Sequence, residues 1–285
     1  MFFALLIFLY MFLFYFIIFI FGLIFGSFLN VVIFRLENGE KIVNDRSKCL
    51  RCKHVLAWYD LIPIFSFIFL KGRCRYCGER ISWQYPVVEM GTGTLFLLIF
   101  NFQFSIFNFS AQGGPASGWQ FLSLLFWFYI VSVLIVIFAY DLKHYIIPDK
   151  IIYPAIIVTL GFNLFNNFHN SQFTIHNSLF INHLFAAFIA GLFFYAIVVI
   201  TKGKGMGGGD VKLGFLMGLL LGWPLVLIAL FLSFIIGSVI GIFLILVGNK
   251  KMKSMIPFGP FLILGTFIAL FWGEEIVEWY LNIII

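Results

Sequence analysis

Eight long apolar runs, separated by short polar stretches, divide the chain. They lie near residues 3–34, 87–109, 119–140, 146–168, 179–201, 211–223, 224–248 and 256–283. The runs are continuously apolar and do not alternate, which argues against a transmembrane β-barrel. In lipid, a helix of about 20 residues satisfies all of its own backbone hydrogen bonds. We therefore predict an all-α polytopic membrane protein with about eight transmembrane helices.

Two of these boundaries need a separate argument. Residues 215–247 are long enough for two helices if Gly222, Trp223 and Pro224 turn the chain, because proline lacks a backbone donor and disfavours helix in the residue before it. The first run has no basic segment before it, is longer than a signal-peptide core and lacks a small-residue cleavage site. We expect it to be a retained first helix.

Composition agrees with a membrane location. Of the 285 residues, 62% are hydrophobic and 11% are charged, and 41 are phenylalanine. Soluble domains carry roughly 25% charged residues. A bilayer solvates such a large number of apolar side chains directly, whereas a soluble core of this size cannot hide them.

The basic residues predict the orientation, because lysine and arginine stay on the cytoplasmic side. Ten of the 18 lie between Arg35 and Arg80. The others fall in three later connections: Lys143 and Lys150; Lys202, Lys204 and Lys212; and Lys250, Lys251 and Lys253. The remaining connections have none, so both termini are expected outside the cytoplasm. The net charge of +6 follows from this topology and requires no nucleic acid partner.

Residues 35–86 form the one long polar segment, and they contain every cysteine of the chain: Cys49, Cys52, Cys74 and Cys77. The C-x2-C-x21-C-x2-C spacing is typical of two zinc knuckles whose four thiolates surround a structural Zn²⁺. Two disulfides are the alternative, but they are disfavoured on the reducing cytoplasmic side. Such a short loop lacks a sizeable core, and a bound metal supplies folding energy. We expect Trp58, Tyr59, Pro63 and Trp83 to pack as a small apolar cap rather than to touch the membrane interface.

Three carboxylates stand at the ends of apolar runs: Asp141, Asp149 and Asp210. Ionisable groups near hydrocarbon are costly and are functional candidates. Asp149 precedes a run and would serve as a helix N-cap. Asp141 closes a run, where the helix dipole disfavours an acid. Asp210 follows three glycines that permit close backbone approach, so a functional role is favoured there over capping.

The glycines do not form a nucleotide site, because neither the P-loop pattern nor a strand-associated G-x-G-x-x-G is present. Two aspartates from different helices at one membrane face indicate another chemistry. If they converge, repulsion favours a state with one carboxyl protonated and the other ionised, and the pair can activate water and protonate an amide. This is aspartic proteolysis.

On these residues the chain resembles the type IV prepilin peptidases, which are prepilin leader peptidase/N-methyltransferases of the GxGD aspartic class. Seven segments carry the resemblance: GSFLNVVIFRL at 26–36, RSKCLRC at 46–52, GRCRYCG at 72–78, ISWQYPVVE at 81–89, DLKHYIIPD at 141–149, GGGDVKLG at 207–214 and PFGPF at 257–261. Leu50 departs from the proline that is common in this family after the first cysteine, which is expected to alter the turn but not the ligands.

The resemblance implies that Asp141 and Asp210 are catalytic, with Gly207 and Gly209 in the GxGD loop. It also implies prepilin or pseudopilin substrates, whose basic leader is cut at the cytoplasmic face of a bacterial inner membrane, and methylation of the new N-terminus from S-adenosylmethionine. Gly72, Arg73 and Glu89 are candidates for the methyl-transfer site, and each also has a plain structural interpretation. Asn30 and Arg35 either line the site or lie at the membrane interface without a role in it.

Three parts follow: a first transmembrane helix at 1–34, a cytoplasmic four-cysteine zinc domain at 35–86 and a seven-helix peptidase domain at 87–285. Two alternatives are a presenilin-like intramembrane protease, which also pairs a Tyr-Asp with GxGD, and an ion-coupled transporter. The cysteine loop argues against the first, and the position of the acids at one face argues against the second.

Overall fold

The computed structural model describes residues 2–41, 46–110, 118–169, 179–203, 205–248 and 256–284. Its long helices are α1 (Phe2–Asn38), α3 (Gln84–Ser110), α4 (Gly118–His144), α5 (Asp149–His169), α6 (Leu179–Ile200), α8 (Leu225–Leu246) and α9 (Gly259–Ile284). Shorter elements are a 3-10 helix (Trp58–Leu61), α2 (Phe65–Phe69) and α7 (Gly208–Leu221). Lys204, Lys250, Lys251 and Lys253, which the orientation argument uses, lie outside the described residues.

The all-α membrane class is confirmed. Seven helices within the described ranges are long and apolar enough to cross a membrane. The predicted run at 211–223 forms α7, which has 14 residues and is therefore about 21 Å long. Gly222, Trp223 and Pro224 separate α7 from α8 as predicted, and Gly222 has a positive φ of 69°.

The chain divides into two compact units, residues 1–139 and 140–285. In the first unit, α1 and α3 pack through small residues. A Cβ on Gly22 would lie 2.7 Å from Gly93 Cα, and one on Gly26 would lie 2.6 Å from Glu89 Cα. Such close backbone approach at i, i+4 positions is a common way for helices to associate in membranes.

In the second unit, α7 packs closely on α6, where a side chain on Gly218 would overlap the backbone of Ala187. The C-terminal end of α7 is held by polar side chains. The Leu219 carbonyl lies 2.8 Å from Asn163 Nδ2 of α5 and 2.8 Å from His183 Nδ1 of α6. Because these side chains satisfy the last turn, α7 is able to end after 14 residues.

Candidate active site

Asp141 lies on the buried face of α4. It follows Ile130, Leu134 and Ile137 at helical spacing, and these three side chains are buried. Asp141 itself is 5% exposed. Its position in the last turn, one turn before the helix ends at His144, therefore directs the carboxylate into protein.

A short turn follows α4. Tyr145 adopts a positive φ of 58° and ends the helix, and Pro148 stands immediately before α5. Between them, Ile147 is buried. This turn places an apolar side chain beside the aspartate that precedes it.

Asp210 lies in the first turn of α7 and is 9% exposed. Gly207 is the N-cap residue, and its amide donates a hydrogen bond to the Asp210 carboxylate. The capping contact that competed with a functional role is thus present. It leaves the functional role open, because a carboxylate oxygen can accept more than one hydrogen bond.

The second unit brings Asp141 and Asp210 close enough that the charge of one acts on the other. A third element completes the arrangement, because the Gly259 amide at the start of α9 donates a hydrogen bond to the Asp141 carboxylate. A Cβ on Gly259 would lie only 2.6 Å from Asp141 Oδ2. The start of α9 therefore lies against this carboxylate.

Ile147 fills the space between the two glycine-bearing helix starts. Its Cβ lies 3.0 Å from the position of a Cβ on Gly209, and its Cδ1 lies 3.6 Å from that on Gly259. A Cβ on Gly208 would meet nothing within 4 Å. Of these two GxGD-loop glycines, Gly209 has the closer neighbour.

Asp149 is placed differently from the other two acids. Its carboxylate is exposed and accepts a hydrogen bond of 2.5 Å from Lys212 Nζ of α7. Lys212 also lies over the Tyr153 ring, 4.9 Å from its centroid. Asp149 thus forms an ion pair with a lysine, and this pair joins the start of α5 to α7.

The four cysteine sulfurs of the first unit lie within 4.8 Å of one another, and the Sγ atoms of Cys49 and Cys77 are 3.8 Å apart. A tetrahedral Zn²⁺ with bonds of about 2.3 Å sets its sulfurs about 3.8 Å apart. All four cysteines are free, which is contrary to the disulfide alternative. The cluster thus has the ligand type, the number and the spacing that zinc needs.

The two knuckles close in the same way. The amide of Lys53 donates to the Cys49 carbonyl at 3.0 Å, and that of Gly78 donates to the Cys74 carbonyl at 2.9 Å. The first knuckle therefore closes with the same hydrogen bond as the second although Leu50 follows its first cysteine.

Hydrogen bonds prepare one thiol for metal binding. Burial raises the pKa of Cys49, but hydrogen bonds from the amides of Cys52 and Arg51 and from neighbouring thiols outweigh this effect. The pKa of Cys49 falls to about 6. Thiolate is the form that binds zinc.

A cavity of about 640 Å³ lies between the knuckles and the ends of α1 and α3. Glu89 and Arg35 line it, and both are buried. Gly72 and Arg73 are not among its lining residues. Gly72 instead occupies a turn with φ 67°, where a Cβ would lie 3.1 Å from the Phe67 ring, and Arg73 is exposed.

Asn30 lies beside this region on α1 and is 2% exposed. Its Nδ2 donates to the carbonyls of Gly26 and Tyr85, at 3.3 Å and 3.1 Å. Its Oδ1 accepts no hydrogen bond from any group in the described part of the chain. The amide joins α1 to the start of α3.

Comparison with known proteins finds two matching domains. Residues 20–102 match the Bacterial Peptidase A24 N-terminal domain, and residues 127–242 match the Type IV leader peptidase family. A prepilin leader peptidase/N-methyltransferase from Aeromonas salmonicida (strain A449) is 33% identical over 92% of this chain and 92% of its own length. The chain belongs to the type IV leader peptidase family.

Other members of this family are similar to the chain over the same extent. Proteins described in the same words from Bacillus subtilis (strain 168) and Pseudomonas aeruginosa are 31% and 30% identical, each over 92% of this chain. The matches cover 95% and 91% of those two proteins. No solved structure matches the chain. Membership favours the peptidase over the presenilin-like and transporter alternatives.

The leader peptidase match spans both aspartates but ends before Gly259. The sequence identifies PFGPF as a motif but does not show that its glycine contacts Asp141. Ile147 was likewise part of a motif and had no role. Ile147 lies in the same motif as Asp141, and Gly259 lies in the PFGPF motif. These positions were the indication in the sequence that the two residues belong to the site.

Proposed function

We propose that this chain is a membrane aspartic endopeptidase that removes the basic leader of type IV prepilins or pseudopilins. The observation that carries the proposal is the buried pair of Asp141 and Asp210, brought within electrostatic reach from two helices. Family membership and the similarity to prepilin leader peptidase/N-methyltransferases support the same activity.

The two carboxyl groups divide the chemistry between them. The ionised one takes a proton from a water molecule, and the resulting hydroxide attacks the carbonyl carbon of the scissile peptide. The protonated one donates its proton as the tetrahedral intermediate collapses and the amine leaves. Because the charge of one carboxyl acts on the other, neither role is assigned to one residue. The amides of Gly259 and Gly207 orient the two carboxylates.

We place both aspartates at the cytoplasmic face of a bacterial inner membrane, with both termini on the other side. The distribution of lysine and arginine supports this orientation. A leader that has not crossed the membrane waits on that side. The substrate partner is a single prepilin helix in the same bilayer.

We further propose that Cys49, Cys52, Cys74 and Cys77 hold a structural zinc ion. Four thiolate ligands leave no open position for water, so the metal stabilises the loop and takes no part in hydrolysis. Metal analysis of the purified, reduced protein tests this, and about one zinc per chain is expected from one four-cysteine site. A reduced protein that binds no zinc would contradict it.

The relatives are named as N-methyltransferases as well, and we propose the same second activity for this chain, with S-adenosylmethionine as methyl donor. The cavity in the first unit fits a ligand of this kind, because small-molecule sites have volumes of about 300–1,000 Å³. Glu89 would accept hydrogen bonds from hydroxyl or ammonium groups, and Arg35 would pair with a carboxylate. When bound, the group supplies a methyl to the new terminal amine.

Direct binding tests the methyl-donor site independently of catalysis. Equilibrium dialysis with labelled S-adenosylmethionine should show weaker binding to Glu89→Gln than to the wild type. Prepilin cleavage by the same variant should be unchanged. Equal binding by both proteins would remove Glu89 from the site.

Mass spectrometry of a prepilin after incubation with the enzyme and S-adenosylmethionine tests the peptidase. We expect no cleavage by Asp141→Asn or Asp210→Asn. The matched control is Glu275→Gln, an exposed acid of α9, which should cleave normally. Full cleavage by both aspartate variants would refute the pair.

A further inference from the structure

Residues 58–69 of the knuckle loop, here called the aromatic segment, expose large apolar side chains. Trp58 is 76% exposed, Phe69 80%, Ile68 62% and Phe65 54%. The packing role expected for Trp58 is therefore wrong, and it is also wrong for Trp83, which is 73% exposed. A contiguous exposed apolar patch marks a surface that contacts another protein or a membrane.

The position of this segment along α3 indicates which contact it makes. The Ile64 amide, in the middle of the segment, donates to Glu89 Oε2 at 2.8 Å. Glu89 lies five residues beyond Gln84, the first residue of the part of α3 that is long and apolar enough to cross a membrane. At 1.5 Å per residue, the Cα of Glu89 lies about 7.5 Å along α3 from the start of that part, and the Ile64 amide contacts the end of its side chain.

The packing of α1 on α3 gives a second measure of how far Glu89 lies from the charged end of the helices. A Cβ on Gly26 would lie 2.6 Å from Glu89 Cα, so the two residues are at one level. Gly26 precedes Arg35, the first basic residue of α1, by nine positions, which is about 13.5 Å along the helix. Both helices thus place the middle of the segment below the level at which charged residues begin.

Two buried carboxylates hold the segment there. At its N-terminal part, Asp60 accepts hydrogen bonds from Arg75 Nε at 2.7 Å and Tyr76 Oη at 3.2 Å, both in the second knuckle. At its centre, Glu89 holds Ile64. Phe67 turns inward, with its ring 5.1 Å from that of Trp83. Phe65, Ile68 and Phe69 are left facing outward.

We propose that the aromatic segment is an interfacial membrane anchor whose exposed apolar side chains insert into the boundary between lipid headgroups and acyl chains. Twelve residues are too few to span a bilayer, which needs about 20, but they suit insertion by about 5–10 Å. The exposed Lys71 and Arg73 follow the segment and would meet anionic headgroups. This anchor goes beyond the peptidase activity and does not depend on it.

Photo-crosslinking of the full-length protein in vesicles of phosphatidylethanolamine and phosphatidylglycerol tests the anchor. A benzophenone amino acid replaces Phe69 or, separately, Ile68. The matched control is Arg51, whose side chain is 73% exposed in the first knuckle of the same loop. Mass spectrometry should find at least about tenfold more lipid adduct at position 69 than at position 51.

Phe188, 61% exposed on membrane-spanning α6, is the positive control for lipid contact. Adducts at Phe188 without adducts at Phe69 or Ile68 would overturn the proposal. Crosslinks from Phe69 to a second copy, to residues 140–285 or to a prepilin would also overturn it. Zinc content reports whether each variant keeps its knuckles folded, and Ile68 replaces Phe69 as the probe if that variant loses the metal.

Discussion

The backbone amide of Gly259, at the start of α9, donates a hydrogen bond to the carboxylate of Asp141, in the last turn of α4. This contact leaves no room for a side chain on residue 259, because a Cβ would lie 2.6 Å from Asp141 Oδ2. One candidate catalytic carboxylate is therefore oriented by a residue that is far from it in sequence.

Gly259→Ala should lower the cleavage rate by about 100-fold, because a misplacement of about 1 Å in a catalytic group has an effect of this size. The measurement is the initial rate of leader removal from a purified prepilin in detergent. Gly91→Ala is the control, since a Cβ there would meet nothing within 4 Å. A rate for Gly259→Ala equal to that of the control would show that the contact does not orient Asp141.

Gly209 and Gly208 offer a second matched pair. Gly209→Ala brings a methyl group to 3.0 Å from Ile147 Cβ, whereas Gly208→Ala adds one in open space. Overpacking of this kind costs about 1–3 kcal/mol, so we expect cleavage by Gly209→Ala to fall by about tenfold or more. Gly208→Ala should remain near the wild type. Equal rates for the two variants would mean that Ile147 yields without moving Asp210.

Asp149→Asn should keep cleavage within about fivefold of the wild type, because exposed ion pairs contribute about 1 kcal/mol or less. The carboxylate is 61% exposed and pairs with Lys212. Lys212→Met breaks the same pair from the other side and should have a similar effect. Complete loss of cleavage in Asp149→Asn, with the protein still inserted, would move this residue into the catalytic group.

The knuckle loop should lose part of its stability in acid through Asp60. Burial raises the pKa of Asp60, but hydrogen bonds from Arg75, from the Ala57 amide and from Tyr76 outweigh it, so the pKa lies below its usual value of 3.8. The carboxylate therefore stabilises the folded loop above pH 3.8, and this contribution is lost as pH falls through the lower folded pKa.

Asp60→Asn removes the charge and keeps nearly the same shape, and zinc content measured at each pH shows the range over which both proteins keep their metal. Hydrogen exchange of the peptide that includes Ala57 should be faster in the variant at pH 6. The difference should shrink as the pH is lowered below 3.8. A difference that stays constant across this range, while both proteins keep their metal, would show that the charge of Asp60 does not stabilise the loop.

The sequence predicted much of this architecture, since lipid imposes helices that are readable as apolar runs. It also singled out Asp141 and Asp210, because acids beside hydrocarbon are conspicuous. It did not reveal that Gly259 and Ile147 meet these acids, since such contacts depend on how distant helices pack. The apolar run at 211–223 was predicted to be one of the spans, but its helix α7 has 14 residues and ends before Gly222, so it is shorter than the roughly 20 residues that a full span needs.

The exposure of the aromatic segment was also missed. Tryptophan and phenylalanine are apolar whether they pack inside a small metal-binding loop or face lipid. Residue type alone therefore does not distinguish the two cases. The hydrogen bond from the Ile64 amide to the Glu89 carboxylate is what relates the segment to a level along α3.

The close packing of Gly22 and Gly26 against α3 also affects the loop that joins the two helices. Its two ends are held side by side before any metal binds, so much of the entropy of closing a long flexible chain is already lost. The same stretch cut out as a free peptide would have to lose that entropy on binding zinc. Because α1 and α3 already hold the loop ends together, the intact protein should bind its metal more tightly than the excised loop.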